Sequence, residues 1–296
     1  MVEYILGNYL TETGRLTAEQ LNTVIAKQDE TRVKLGLLAV SEGIMTAEQA
    51  EQVNKLQSVM DKRFGDIAVS KGFLTEEQID NLLKKQGNAY LSFAQALVDL
   101  EYLNMQELDE MLEGFRNAHS FSKSDMEDIK SDEPERIVPL FIPGEAMAYK
   151  DLIGILIRTL IRRVDRHAYM EKAVVADKIT VEKAVCQDIR DFSSPAEGFT
   201  SLKTGFIEEN GALRDIVSGF CKMDELDEED MLDGAGEFLN CVNGLYASAI
   251  SRKGTDSELM PPVISGGDEI IAEGAICKVP VCIKDKKSFF VVIGYK

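Results

Sequence analysis

The stretch "LGNYLTETGRLTAEQL", beginning at Leu6, returns 29 residues later as "LGLLAVSEGIMTAEQA" from Leu35, then as "FGDIAVSKGFLTEEQI" from Phe64 and "FAQALVDLEYLNMQEL" from Phe93. Few features constrain a fold as tightly. A unit this short cannot bury an apolar face alone, so successive copies must stack and share a core. In each of the first three copies an apolar-periodic segment stops at a glycine, Gly14, Gly43 or Gly72, which is the residue that most readily ends a helix. A second segment then opens with a Thr-x-x-Gln or Asn-x-x-Glu pair: Thr17 and Gln20, Thr46 and Gln49, Thr75 and Gln78, Asn104 and Glu107. Such pairs satisfy the free N–H groups of a helix start reciprocally. The prediction is an all-α domain of four helical hairpins over residues 1–116. The fourth copy, with Ala94, Glu101 and Phe115 at otherwise glycine and glutamine positions, reads as its end cap.

Residues 117–138, "NAHSFSKSDMEDIKSDEPERIV", are polar and poor in periodic apolar positions, which predicts a linker. From residue 139 to 296 the pattern becomes mixed. "AMAYKDLIGILIRTLIRRV" has helical periodicity, whereas "MEKAVVADKITVEKAV" and "FTSLKTGFIEENGALRDIVSGF" read as strands, the second turning at Asn210-Gly211. A long helix follows from about Glu228 to Ser251. "GAICKVPVCIKDKKSFFVVIGYK" closes the sequence as two strands around a charged turn. This order predicts an α+β domain built on an antiparallel sheet with long helices.

Charge and residue usage remove several function classes. A net charge of −18 repels polyanions, so no nucleic-acid polymer is expected as a partner. The five cysteines include no CxxC pair, and the two histidines sit in no zinc-binding or triad pattern. The cysteines are expected to be reduced and buried, and no metal site is expected. No apolar run is long enough to span a membrane, and "MVEYILGNYLTETG" lacks the features of a secretory leader, so a cytoplasmic protein is expected. The acidic run "DELDEEDMLD" lacks the mid-loop glycine of a calcium-binding loop and reads as a helix start.

The long helix contains "GEFLNCVNG", two glycines and two asparagines where alanine or leucine would be more stable; each glycine costs about 1 kcal/mol. Met231, Ala235, Phe238, Val242, Leu245 and Ala249 form the apolar stripe expected to face the core. Asp233, Glu237, Asn240 and Gly244 are displaced from it by two residues, about 200°, so they lie on the opposite side. Glu237 and Asn240 therefore point outward as i, i+3 neighbours. A merely solvated face gains nothing from Gly234, Gly236 and Gly244, whereas one that another backbone approaches does.

The spacing Asp233-xxx-Glu237-xx-Asn240-xxx-Gly244 resembles the DxxxExxNxxxG signature of the CheC, CheX and FliY chemotaxis phosphatases. "ELMPPVISGGD" at 258–268 resembles the segment after that helix in CheX-type members. CheC-type members carry the signature twice; here Ala148 stands three residues after Glu145 in the earlier helix, so the chain has the single-site, CheX-like arrangement. The resemblance implies hydrolysis of the phospho-aspartate of a CheY-like receiver domain. The receiver would supply Mg²⁺ and this chain would bind no cofactor. It makes Glu237 and Asn240 the catalytic pair, supported by Asp233 and Gly244. A neutral amide can enter an anionic phosphoryl site and orient water, while a carboxylate suits docking onto a receiver lysine. CheX-like relatives can dimerise, and sheet edges here permit a homodimer.

The 29-residue units also resemble the N-terminal domain of type II secretion and type IV pilus ATPases, the MshE-N group, some of which bind cyclic di-GMP through motifs near RLGxxLxxxGxLxxxxLxxALxxQ. Residues 63–86 retain Arg63, Gly65, Gly72 and Gln86; residues 34–57 keep Gly36, Gly43 and Gln57 but have Lys34 for the arginine. Lysine cannot make the bidentate phosphate pair of arginine. Two readings stand: these residues close and cap hairpins, or Lys34, Gly36, Gln57, Arg63, Gly65 and Gln86 line a nucleotide site. The whole chain is then a receiver phosphatase with a regulatory or localising array, a non-catalytic signalling adaptor, or a cyclic di-GMP sensor.

Overall fold

The computed structural model describes residues 1–28, 30–31, 33–57, 59–60, 62–83, 88–176, 179–190, 201–270, 276–283 and 286–295. The chain forms two compact units, Val2–Asp132 and Glu133–Lys296.

The first unit is helical: α1 (Val2–Glu12), α2 (Ala18–Gln28), α3 (Leu35–Ser41), α4 (Ala47–Gln57), α5 (Phe64–Ser70), α6 (Glu76–Leu83), α7 (Ala89–Asp99), α8 (Met105–Ala118) and α9 (Lys123–Ser131). Gly14, Gly43 and Gly72 all have φ near +70°, a conformation that costs a residue with a Cβ, and each ends the helix before it. Glu101 adopts the same left-handed conformation at φ 57° despite its side chain. The Thr17–Gln20, Thr46–Gln49 and Thr75–Gln78 pairs each exchange hydrogen bonds of 2.8–3.2 Å between side chain and backbone, as does Asn104 with Glu107.

The 117–138 segment is not an extended linker. It carries α9, capped reciprocally by Ser122 and Asp125, and the start of α10 (Pro134–Phe141), which has Pro134 in its first turn. Its polar composition hides two short helices that bury only one side: Met126 and Ile129 on α9, Ile137 and Val138 on α10. The break between units falls beside Asp132, a left-handed residue at φ 55° whose carboxylate accepts from the Val2 N–H at 2.9 Å.

In the second unit α10 is followed by a 3-10 turn (Gly144–Tyr149) and α11 (Lys150–Arg163), then β1 (Tyr169–Met170), β2 (Val174–Ala176), β3 (Ile179–Arg190), β4 (Ser201–Ile207), α12 (Ala212–Cys221), α13 (Glu228–Ser251), β5 (Glu258–Leu259), β6 (Val263–Ile270), β7 (Ile276–Ile283) and β8 (Lys286–Tyr295). The strands make one sheet in the order β1-β7-β8-β4-β3-β5, with β2 beside β7 and β6 beside β3, every described pairing antiparallel. Phe206 of β4 and Phe290 of β8 pack with their rings tilted by 57° and their centres 5.2 Å apart, and Phe238 of α13 meets Phe206 at 5.7 Å. That aromatic cluster seats α13 on the sheet. Among the described residues no helix is long and apolar enough to cross a membrane.

Three local expectations are corrected. Asn210-Gly211 does not turn a hairpin. Both residues are left-handed, at φ 57° and 77°, but they lead into α12, whose first turn is closed by the Glu208 carboxylate accepting from Leu213 N–H at 2.9 Å. The spacing of Leu213, Ile216 and Val217 is that of a helix burying one face. The apolar stripe of α13 holds at Met231, Ala235, Phe238 and Val242, then winds away: Leu245 is 48% exposed, and Asn243, Tyr246 and Ile250 are buried instead. Lastly, Cys221 is exposed and Cys241 half-buried, so only Cys186, Cys277 and Cys282 are buried.

Candidate functional site

The start of α13 is fixed by Asp227 and Asp230, each side chain accepting the other's backbone N–H, with Glu228 and Glu229 completing an acidic first turn that complements the helix dipole. Two turns further on, Asp233, Glu237 and Asn240 are all exposed and Gly244 is half-exposed.

The glycines turn out to serve different ends. A Cβ on Gly234 would stand 2.3 Å from Val217 Cγ1, so this glycine lets α12 close against α13. One on Gly236 would stand 3.3 Å from Pro262 Cβ, so this glycine admits the proline segment. Both are packed within the domain itself rather than held open for a second backbone. At Gly244 the nearest atom to a built Cβ is Leu259 Cδ1 at 3.9 Å, an ordinary contact. Only Gly244 is left without an internal packing reason.

The proline segment has its own logic. Strand β3 pairs with β5 at Ile189↔Leu259 and with β6 from Cys186↔Val263 onward. Met260, Pro261 and Pro262 therefore lie opposite only Gln187 and Asp188, one residue too many for a regular ladder. Proline has no N–H to give, so the ladder opens into a bulge here. Met260 N–H still donates to Asp188 O at 3.0 Å, while Met260 O accepts from the Gln187 side chain at 2.8 Å.

Gln187 is where the buried part of the site begins. It is 1% exposed, and its Nε2 donates both to Met260 O and to Asn240 Oδ1, each at 2.8 Å. Its Oε1 accepts from Asn243 Nδ2 at 2.7 Å, and the same Nδ2 donates to Thr204 Oγ1 at 2.7 Å. Thr204, the register partner of Gln187 on β4, donates to Gln187 O at 3.2 Å. Asn240 is thus not a free surface amide: it is the outer end of a hydrogen-bonded chain running out of the core.

Beside Glu237 lies an open cavity of about 710 Å³ lined by Val185, Leu232, Asp233, Gly236, Glu237, Pro262, Val263 and Ile264. Val263 and Ile264 are 60% and 51% exposed, so apolar side chains adjoin the acidic pair. Next to the bulge, the Asp188 carboxylate bonds Arg190 at 2.6 Å and Lys203 at 3.1 Å. Burial alone would raise its pKa, but these two cations outweigh it and hold the group below the ordinary aspartate value.

Sequence reasoning named Glu237, Asn240, Asp233 and Gly244 but missed Gln187, Asn243 and Thr204. A signal was present. In "AVCQDI" Gln187 occupies the inward phase between Val185 and Ile189, and Asn243 interrupts an apolar helix face, two polar residues where a core has no ordinary use for them.

In the first unit, Lys34, Gln57, Arg63 and Gly65 line one cavity of about 710 Å³, together with Leu35, Asn54, Phe64, Asp66, Ile79 and Leu83. Lys34 also pairs with Asp99 at 2.6 Å. Gly36 serves packing: a Cβ there would meet the Phe64 ring at 3.0 Å. Gln86 lies outside the described residues.

No protein-family profile matches the chain, and no curated protein does. Solved structures similar to it include CheX of Desulfovibrio desulfuricans (14% identity, 50% of this chain and 98% of that one, TM-score 0.41) and CheX of Vibrio vulnificus (19%, 48% and 95%, 0.38). A third is a CheX–CheY–BeF3–Mg²⁺ complex from Borrelia burgdorferi (13%, 50% and 98%, 0.40).

Proposed function

We propose that the second unit is a phosphatase for the phospho-aspartate of a CheY-like receiver, with Asn240 as the catalytic side chain and Glu237 as the docking acid. The observation that carries the reading is Asn240 itself: an exposed amide on a rigid helix, one turn from an exposed carboxylate, with its oxygen held by a buried glutamine. The signature-like spacing from Asp233 to Gly244 agrees with it.

The chemistry follows from these groups. Hydrolysis forms a bond between a water oxygen and phosphorus while the bond from phosphorus to the aspartyl oxygen breaks. Aspartate leaves as carboxylate, and the water's protons go to phosphate and solvent. Mg²⁺ carried by the receiver would offset charge on the phosphoryl oxygens. The neutral Asn240 amide can approach that anion without repulsion; its Nδ2 hydrogens are free to bond the phosphoryl group or the attacking water, and Oδ1 keeps one lone pair for a water proton. Rate is gained by positioning. Glu237 pairs with a receiver cation, and the Val263–Ile264 shelf beside it offers apolar contact area for docking.

The test is phosphate release from an acetyl-phosphate-labelled receiver. Asn240→Ala is expected to abolish the acceleration while receiver binding stays measurable; Glu237→Ala is expected to weaken binding. Undiminished turnover in Asn240→Ala rejects the catalytic assignment and leaves an adaptor.

A second activity is favoured by the cavity of the first unit. Lys34 and Arg63 provide cations for phosphate, Phe64 and Leu83 provide apolar walls for a base, and the Asp66 carboxylate matches the paired N–H donors of a guanine edge. This suits cyclic di-GMP, which would regulate or place the phosphatase unit. Calorimetry with cyclic di-GMP should give saturable heat that Arg63→Ala removes; no heat at high micromolar nucleotide leaves the helices as a protein-interaction array.

A further inference from the structure

Four polar side chains, Thr204, Gln187, Asn243 and Asn240, form one hydrogen-bonded chain between the sheet and α13, and three of them are almost wholly inaccessible. Its direction is set by a single backbone atom. Met260 O can only accept, so the Gln187 atom facing it must be Nε2. The remaining hydrogen of that nitrogen points at Asn240, which must answer with Oδ1. Gln187 Oε1 then faces Asn243, which must answer with Nδ2. Reversing any one amide would set oxygen against oxygen or nitrogen against nitrogen.

The same constraint leaves Asn243 Oδ1 buried and without a partner. A core selected for stability alone would fill positions 187 and 243 with apolar side chains rather than keep an unanswered carbonyl. The arrangement is explained if its product is the orientation of Asn240.

We propose that Gln187 is the positioning residue of the phosphatase site: through its bond to Oδ1 it fixes the rotamer of Asn240 and turns the Nδ2 hydrogens toward the incoming phosphoryl group, with Asn243 and Thr204 holding Gln187 in turn. This rests on the phosphatase reading. The bond also polarises the amide, because a carbonyl that accepts strengthens the donors on its own nitrogen.

The experiment uses the full chain and two readouts. Gln187→Met keeps length and apolar bulk but removes every donor and acceptor. Its kcat for phosphate release should fall roughly 10–100-fold, the scale on which misplacing a catalytic group acts, with the half-saturating receiver concentration unchanged. In ¹⁵N-resolved spectra the two Asn240 side-chain N–H signals should move from their wild-type positions toward the pair of shifts of an unstructured asparagine amide. Wild-type kcat with unaltered Asn240 signals in folded Gln187→Met overturns the proposal. If that variant does not fold, Thr204→Val, which loses one hydroxyl at nearly constant shape, should give a smaller kcat fall and the same spectral change; no change in either overturns it equally. Should the wild-type protein show no acceleration, the phosphatase reading fails, and the Asn240 signals alone then decide whether Gln187 orients that side chain.

Discussion

Glycine is used in two opposed ways on one helix, and substitution should separate them. At Gly234 an added methyl would lie 2.3 Å from a buried valine of α12, well inside contact distance. Gly234→Ala is therefore expected to destabilise the second unit by about 1–3 kcal/mol, the usual cost of overpacking, read as a lower urea midpoint. Gly244 meets nothing nearer than 3.9 Å and sits in a helix interior, so Gly244→Ala should raise stability by about 0.5–1 kcal/mol. If Gly244 stands open so that a receiver can come close, the same substitution weakens receiver binding while the fold becomes firmer. Both glycines look alike in "LDGAGEFLNCVNG"; only their neighbours distinguish them.

At the level of elements, the bulge where β3 meets Met260–Pro262 depends on charge as well as on proline. Asp188 faces Lys203 across the β3–β4 pair, and Arg190 reaches it along the strand. Because its pKa is lower in the folded chain than in the unfolded one, the unfolded state binds more protons over that interval and stability rises with pH. The contribution is complete above the ordinary aspartate pKa of about 3.9 and is lost as pH falls through the folded value. Asp188→Asn should accordingly lower the urea midpoint near neutral pH, with the gap from wild type closing in acid. A gap that persists unchanged at low pH would show that shape, not charge, holds the bulge.

On the scale of the whole molecule, two compact units with different chemistry predict separable responses. Cyclic di-GMP bound in the first-unit cavity should raise the unfolding midpoint of that unit, by about 2.7 kcal/mol of stabilisation at a hundredfold excess over Kd. In Arg63→Ala the shift should vanish, which thermal unfolding with and without nucleotide would show. Much of this organisation is legible in the sequence because it is local. The helix-ending glycines, the Thr-x-x-Gln caps, the acidic start of α13 and the outward Glu237–Asn240 pair follow from spacing and backbone preference within a few residues. The helices inside 117–138 are hidden in the sequence because polar composition outweighs two short apolar faces, and α12 departs from the expected strand because Asn-Gly opens helices as well as hairpins. What holds Asn240 could not be read locally at all. Gln187 lies 53 residues from Asn240 and 73 from Met260, and a hydrogen bond between groups so far apart in sequence exists only once sheet register and helix seating bring them within 2.8 Å. The sequence by itself determined that Asp233, Glu237 and Asn240 are offered to solvent, because helical periodicity is an intrinsic property of the backbone. The tertiary structure alone decided which way the offered amide points, because the strand residue that holds it, itself held by the carbonyl of a proline-broken loop, meets it only in the folded chain.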